Sequence, residues 1–145
     1  MATPTEAQVV EARSKQSKNS KAATLDMLRG KNRAKSTFSV YLPDAEGETT
    51  EAELTYRAIG ANAYDKLVSK HPPTTEQRSE GANFNLDTFA PALIAAVCVD
   101  PEMTYDDAKE IWDSTEWSRG EVVTLWRRAL DLCNRGIDIP FNADE

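Results

Sequence analysis

One histidine and two cysteines are all that 145 residues supply in the way of soft metal ligands. No His-x-x-x-His spacing and no Cys/His cluster occurs, so a zinc centre lacks its ligands. A Ser–His–Asp triad would have to use His71, and no Gly-x-Ser-x-Gly elbow is present. The six glycines (Gly30, Gly47, Gly60, Gly81, Gly120 and Gly136) are scattered. Neither usual spacing of a glycine-rich phosphate loop appears, which argues against nucleotide hydrolysis. No apolar run is long enough to cross a bilayer. The opening residues Met1 to Glu6 lack the basic region and apolar block of a secretory signal. The expectation is a soluble intracellular protein with no cofactor, no metal and no enzymatic activity. Cys98 and Cys133 read as small buried apolar groups of a reducing compartment, and pair only if the fold brings them together.

What the chain does have is charge, unevenly spread. The net charge of −7 divides into +5 for residues 1–37 and −12 for the rest. Residues 1–21 are polar, and the stretch from Arg13 to Lys21 has too little apolar surface to repay its ordering entropy. This predicts a disordered basic arm over 1–21, resting on the acidic body or meeting another acidic surface. The arm lacks interleaved aromatics that would stack bases, and the body repels phosphates, so nucleic acid is a weak alternative partner.

Residues 22–136 are expected to form one domain, followed by a frayed tail over 137–145. Ala22 to Arg29 predicts a short helix with Leu25 and Leu28 on one side and Gly30 as its stop. Thr37 to Leu42 alternates, with Phe38, Val40 and Leu42 facing one way. Glu53 to Ile59 alternates again, with Leu54, Tyr56 and Ala58 on one face. The turn-rich Pro43–Glu48 stretch between them completes an antiparallel hairpin. A lone hairpin is marginal in water, so it must lean on the helices.

Ala61 to Lys70 predicts a helix with Tyr64, Leu67 and Val68 inward, ended by His71-Pro72-Pro73. His71 is read as a helix C-terminal residue and not as a base or ligand. Thr74 to Ala82 reads as an exposed loop. The next helix starts at Asn85, at Asp87, or near Pro91, and carries Leu93, Ile94, Val97 and Cys98 as its stripe. Asp100-Pro101 marks a turn.

Thr104-Tyr105-Asp106-Asp107 and Ser118-Arg119-Gly120-Glu121 each place a hydroxyl three residues ahead of a carboxylate and before an apolar run. Both are capping-box patterns that open helices. The first helix buries Ala108, Ile111 and Trp112. In the second, Val122, Leu125, Trp126, Ala129, Leu130 and Cys133 keep a helical period. Gly136 and Pro140 end it. The fold class is therefore α+β, mainly α: an N-terminal hairpin on a bundle of four or so helices.

Asp100, Glu102, Asp106, Asp107, Glu110, Asp113 and Glu116 form the densest acidic zone, opposed by Lys109 alone. It is no calcium loop, because Tyr105 takes the position that needs glycine. Trp112 and Trp126 belong to apolar stripes. Trp117, in a helix–helix connection, either plugs the core or stands exposed, and its large area favours the core. Acids beside a tryptophan make Asp106, Asp107, Glu110, Asp113 and Trp117 the expected partner-binding set.

The ordered series Leu54-Thr55-Tyr56-Arg57-Ala58-Ile59, Tyr64-Asp65-Lys66-Leu67 and His71-Pro72-Pro73 resembles the first half of tail assembly chaperones of long, non-contractile-tailed bacteriophages, those of actinobacteria above all. Asn85 to Ala96, Trp112, Trp117 to Val122 and Ala129-Leu130 continue the likeness, which covers residues 24–135. The resemblance implies a non-enzymatic protein of the host cytoplasm that binds the tape-measure protein, keeps it soluble and promotes tail-tube polymerisation around it, and that is missing from the finished virion. It also implies contact with the tail-tube protein and a longer frameshifted form of the same chain; a homo-oligomer is a separate expectation, with the oligomeric state open in the sequence. The basic arm is longer than that pattern needs. The competing expectations are a structural virion component (a tail-completion or head–tail connector protein) and, behind it, a DNA-associated regulator using the arm.

Overall fold

The computed structural model describes residues 21–137. The expected disordered arm up to residue 20 and the frayed tail beyond 137 lie outside them. The described residues fold as α+β, mainly α, with six helices and a three-stranded antiparallel sheet.

Residues 33–135 make up one compact unit, and the first helix belongs to another. Helix α1 (Leu25–Arg29) opens at Thr24, whose hydroxyl accepts the Met27 amide at 3.1 Å. It starts later than the expected Ala22. Gly30 ends it as expected, but at φ −84° and not in a left-handed turn. Its amide donates back to the Asp26 carbonyl at 2.9 Å. Leu25 and Leu28 are both well exposed.

In the compact unit, strands β1 (Lys35–Pro43) and β2 (Thr49–Arg57) form the expected hairpin, in unbroken register from Lys35 opposite Arg57 to Pro43 opposite Thr49. The turn is built by Asp44, whose carboxylate accepts the amides of Glu46 and Glu48, each at 2.9 Å. Gly47 takes the positive φ of 86° that the reversal requires. The alternation works as read: Phe38, Val40, Leu54 and Tyr56 turn toward the helices, and Tyr56 is wholly buried.

Helix α2 (Ala61–Ser69) starts at Gly60 and presents Tyr64, Leu67 and Val68 to the core. A short helix, α3 (Thr75–Ser79), occupies the stretch read as loop. Its start is a full capping box, with the Thr74 hydroxyl on the Gln77 amide and the Gln77 side chain on the Thr74 amide. Helix α4 (Leu86–Val97) is capped by Asn85, so Pro91 lies inside it. It is the central element, packed against α2, two later helices and a third strand. Phe89, Ala90, Pro91, Ala92, Leu93, Ile94 and Val97 are all buried, a nearly continuous apolar wrap suited to a core helix.

The third strand, β3 (Cys98–Asp100), was not foreseen. It pairs antiparallel with β2, placing Cys98 opposite Tyr56, with an irregular step between Thr55 and Tyr56. Three residues are too few to show a period of two, and the pairing partner lies about forty positions away. Helices α5 (Tyr105–Trp112) and α6 (Arg119–Asn134) both start with the expected capping boxes. Along α6, Val122, Leu125, Trp126 and Ala129 are buried as read, but Leu132 completes the stripe, while Leu130 and Cys133 are only half-buried. The two cysteines are free thiols.

An aromatic cluster joins these pieces. Phe89 lies between Phe84 at 4.6 Å, Trp126 at 5.5 Å and Tyr64 at 6.0 Å, measured between ring centroids. Such pairs add about 0.5–1.5 kcal/mol beyond burial alone. The hairpin leans on α6 through Tyr56, whose hydroxyl donates to the Leu125 carbonyl at 3.3 Å. Phe38 meets Tyr56 edge-on at 4.8 Å, and the Arg128 guanidinium covers its ring at 4.2 Å.

Candidate functional site

Two helix starts and the far half of the hairpin converge on one apolar cleft. In each capping box the residue before the cap is large and apolar: Met103 ahead of Thr104, and Trp117 ahead of Ser118. Such a residue packs toward the fourth helical position and fixes the angle at which the chain enters the helix. The fourth positions are Ala108 and Val122, and all four side chains line the same cleft. The box of α3 differs, having Arg78 at its fourth position and no apolar partner to staple. The α5–α6 connection is held by Ser114, whose hydroxyl accepts the amides of Glu116 and Trp117 at 2.9 and 3.2 Å. That clamp sets where Trp117 stands.

The cleft encloses about 190 Å³. Its floor is Tyr56, Ile94, Ala108, Trp112, Val122 and Leu125, all buried. Its mouth is Leu42, Ala52, Leu54, Met103, Ile111 and Trp117, none of them fully covered, with Glu53 as the charged member. Burial falls along the hairpin from Tyr56 at 0 % exposure to Leu42 at 39 %, so the sheet outreaches the helices beneath it. A second groove of about 340 Å³ runs between β1 and α6 and shares Val40, Leu42, Trp117 and Leu125 with the cleft. A larger hollow, about 720 Å³, lies along the outer side of α6 among Tyr64, Arg127, Arg128, Asp131 and Asn134.

The residues read as an interface set have different employments. Trp117 is half-buried and lines both the cleft and the groove, so it stands between the two positions open to it in sequence. Asp107 is the third residue of its own helix and accepts the Thr104 amide at 2.9 Å. That amide, then the Thr104 hydroxyl, holds the Asp107 carboxyl below the usual carboxylate range. Asp113 pairs with Lys109 at 3.3 Å. Asp106 and Glu110 are exposed and make no ion pair among the described residues. At about 100° per residue, Asp106, Glu110 and Asp113 fall on the arc of α5 opposite Ala108 and Trp112, while Asp107 lies nearer Ile111 and the cleft. The acids of α5 therefore border the apolar mouth without entering it.

His71 sits where a helix-ending residue should, its amide on the Val68 carbonyl at 3.0 Å. Its ring stacks on Tyr105 and tilts against Phe89, each at 6.2 Å. Burial, then the charge of Lys70, lowers its pKa. Burial likewise raises the thiol pKa of Cys98 and Cys133, which makes both weak nucleophiles. Among the described residues no group of three His, Cys, Asp or Glu side chains gathers as a metal ion requires, and no helix is long and apolar enough to cross a membrane.

In sequence Leu42 shares a strand face with Phe38 and Val40, and Ile111, Trp112 and Val122 read as inward, but nothing there shows that the core stays open at these residues. Met103 has no such reading. The signal for Met103 was available, since a capping box points to the residue just before it. No family model, curated protein or solved structure matches the chain.

Proposed function

We propose that this chain is a tail assembly chaperone of a long, non-contractile phage tail, holding apolar helical faces of the tape-measure protein until tail-tube subunits enclose them. The observation that carries this reading is the cleft: an apolar mouth of Leu42, Met103, Ile111 and Trp117 beside an acidic helix. Its volume of about 190 Å³ falls below the roughly 300–1,000 Å³ of small-molecule sites. It suits one large apolar side chain offered by a partner. A helix inserting such a side chain would bury apolar area, while Asp106 and Glu110 favour basic flanks on the incoming segment.

A tape-measure protein must expose apolar stripes before the tube closes around it, and bare stripes aggregate. A shallow cleft with room for one anchor gives weak contact at each site. Release as the tube grows is then easy, and several chaperones along one long helix provide the total affinity. The acidic surface keeps loaded complexes apart.

The test is co-expression with the tape-measure protein of the same phage. The reading requires that protein to become soluble and to co-purify with this chain. A tape-measure protein that stays insoluble beside the folded chain would overturn the reading. Mass spectrometry of purified particles separates a chaperone, absent or in trace amounts, from a structural component present in fixed copy number.

A further inference from the structure

Strand β1 is the outer strand of its sheet, paired with β2 alone. The register assigns its two sides. Ala58 donates to the Ala34 carbonyl at 2.8 Å, and Asp44 donates to the Glu48 carbonyl at 2.8 Å. The even-numbered residues between them are therefore the hydrogen-bonded positions facing β2. Lys35, Thr37, Ser39 and Tyr41 turn their backbone groups outward, and no described residue bonds them.

Sheet proteins ordinarily guard such an edge with charge, proline or a bulge. Here Ser36 to Leu42 contain no charge, no proline and no glycine, and the register runs through them without a bulge. Lys35 and Pro43 stand only at the ends. The strand is also its own complement. Turned about a two-fold axis at Ser39, Phe38 meets Val40 of the second copy, Thr37 meets Tyr41, and Lys35 meets Pro43, so no like charges oppose each other.

The helix beside the edge carries the same symmetry. The groove between β1 and α6 is rimmed by Glu121 and Arg128, two turns apart on one face of α6, with Thr124 between them. Two such helices running antiparallel would set each Glu121 against the other copy's Arg128. We infer that this edge is where two copies of the chain join, β1 against β1, into a six-stranded sheet with α6 against α6 beneath it. The contact is isologous and therefore closes at two copies. It adds about six backbone hydrogen bonds and covers Tyr41, which is 67 % exposed. This inference does not depend on the proposed function: it rests on the outer edge of β1, and although the β1–α6 groove shares Leu42 and Trp117 with the cleft, Met103 and Ile111 lie outside it.

The experiment is light scattering with sedimentation on the full chain at about 10–100 μM. The expected mass is about twice the 16.1 kDa of one chain. Ser39→Pro removes an outward amide and spares the ladder to β2, so the variant should keep its circular dichroism and run as a monomer. Thr37→Lys with Tyr41→Lys sets lysine against lysine across the axis and should do the same. Arg128→Glu leaves the Glu121 cap of α6 intact and sets acid against the other copy's Glu121, so it should weaken association several-fold. A monomeric wild-type chain at the top concentration overturns the inference. So does a dimer that persists in both strand variants.

Discussion

The ammonium of Lys109 lies 2.9 Å from the carbonyl oxygen of Asp87, the acceptor that Pro91 leaves without a partner. In an uninterrupted helix the amide of residue 91 would serve that carbonyl, and proline has none. Lys109 reaches across from α5 to fill the gap, and its second contact, Asp113 at 3.3 Å, steadies it. A proline inside the most buried of the described helices is thus accommodated by a neighbouring helix, and the accommodation ties α5 to α4.

Lys109→Ala should lower stability by about 1 kcal/mol, less than the roughly 1.5–3 kcal/mol of a sheltered hydrogen bond to a charged group because this contact is exposed to solvent. Pro91→Ala supplies the missing amide, so the lysine becomes largely redundant in that background. A double-mutant cycle read by urea unfolding should give a coupling of roughly 1 kcal/mol between sites on two separate helices. Additive losses would mean that Lys109 does not stand in for the missing amide.

The Ser118 and Thr104 caps each hold a helix start and aim a staple residue at the cleft. Ser118→Ala and Thr104→Ala should each cost about 1 kcal/mol. Ser118→Ala should also shift Trp117 fluorescence to the red, because Trp112 and Trp126 remain buried at 3 % and 6 % exposure. An unchanged spectrum alongside lost stability would show that the cap does not position Trp117.

The same caps explain which parts of the fold were legible. A hydroxyl three residues ahead of a carboxylate is a local code, and both instances that were read opened helices as expected. The third, Thr74 with Gln77, follows the same code with glutamine, and the polar run around it was read as loop. The hairpin was legible because Phe38, Val40 and Leu42 alternate and Asp44 to Gly47 turn the chain. Strand β3 was not, because Cys98 finds Tyr56 only after both have folded. The partner set was legible in composition and not in placement. Nothing in the sequence shows that Asp107 caps its own helix or that Lys109 engages Asp113. Trp117 is ambiguous in sequence, and in the structure it is half-covered, at the mouth of the cleft.

Acid should weaken the fold through His71 before it reaches the carboxylates. Burial and Lys70 hold the imidazole pKa below its ordinary value of about 6.5. The unfolded chain therefore takes up the proton more readily than the folded one. The stability from the neutral ring is present in full above about pH 6.5 and is lost as pH falls through the lower folded-state value. His71→Phe keeps a ring between Tyr105 and Phe89 and cannot take up a proton. The urea midpoint of the wild-type chain should fall between about pH 7.5 and pH 5.5, and that of the variant should fall less. Parallel curves would remove His71 from the pH response. Asp107, with its lowered pKa, contributes only in the carboxylate range further down.

Capture of the tape-measure protein should separate the roles of the acids and the cleft. Asp106→Lys with Glu110→Lys reverses two exposed charges that take no part in a cap or an ion pair among the described residues. This variant should stay folded and bind less, with most of the difference erased by high salt. Asp107→Lys and Asp113→Lys are poorer probes, because each also removes a cap or a partner of Lys109. Leu42→Asp with Met103→Asp places carboxylates in the apolar mouth, where an inserted side chain would have to desolvate them. Capture should then be lost at every salt concentration, while circular dichroism stays that of the folded chain. If only the acid variant loses capture, the partner is held by charge along the outer arc of α5 and the cleft has no part in binding. If folded forms of both variants capture as the wild type does, the binding surface lies elsewhere on the molecule.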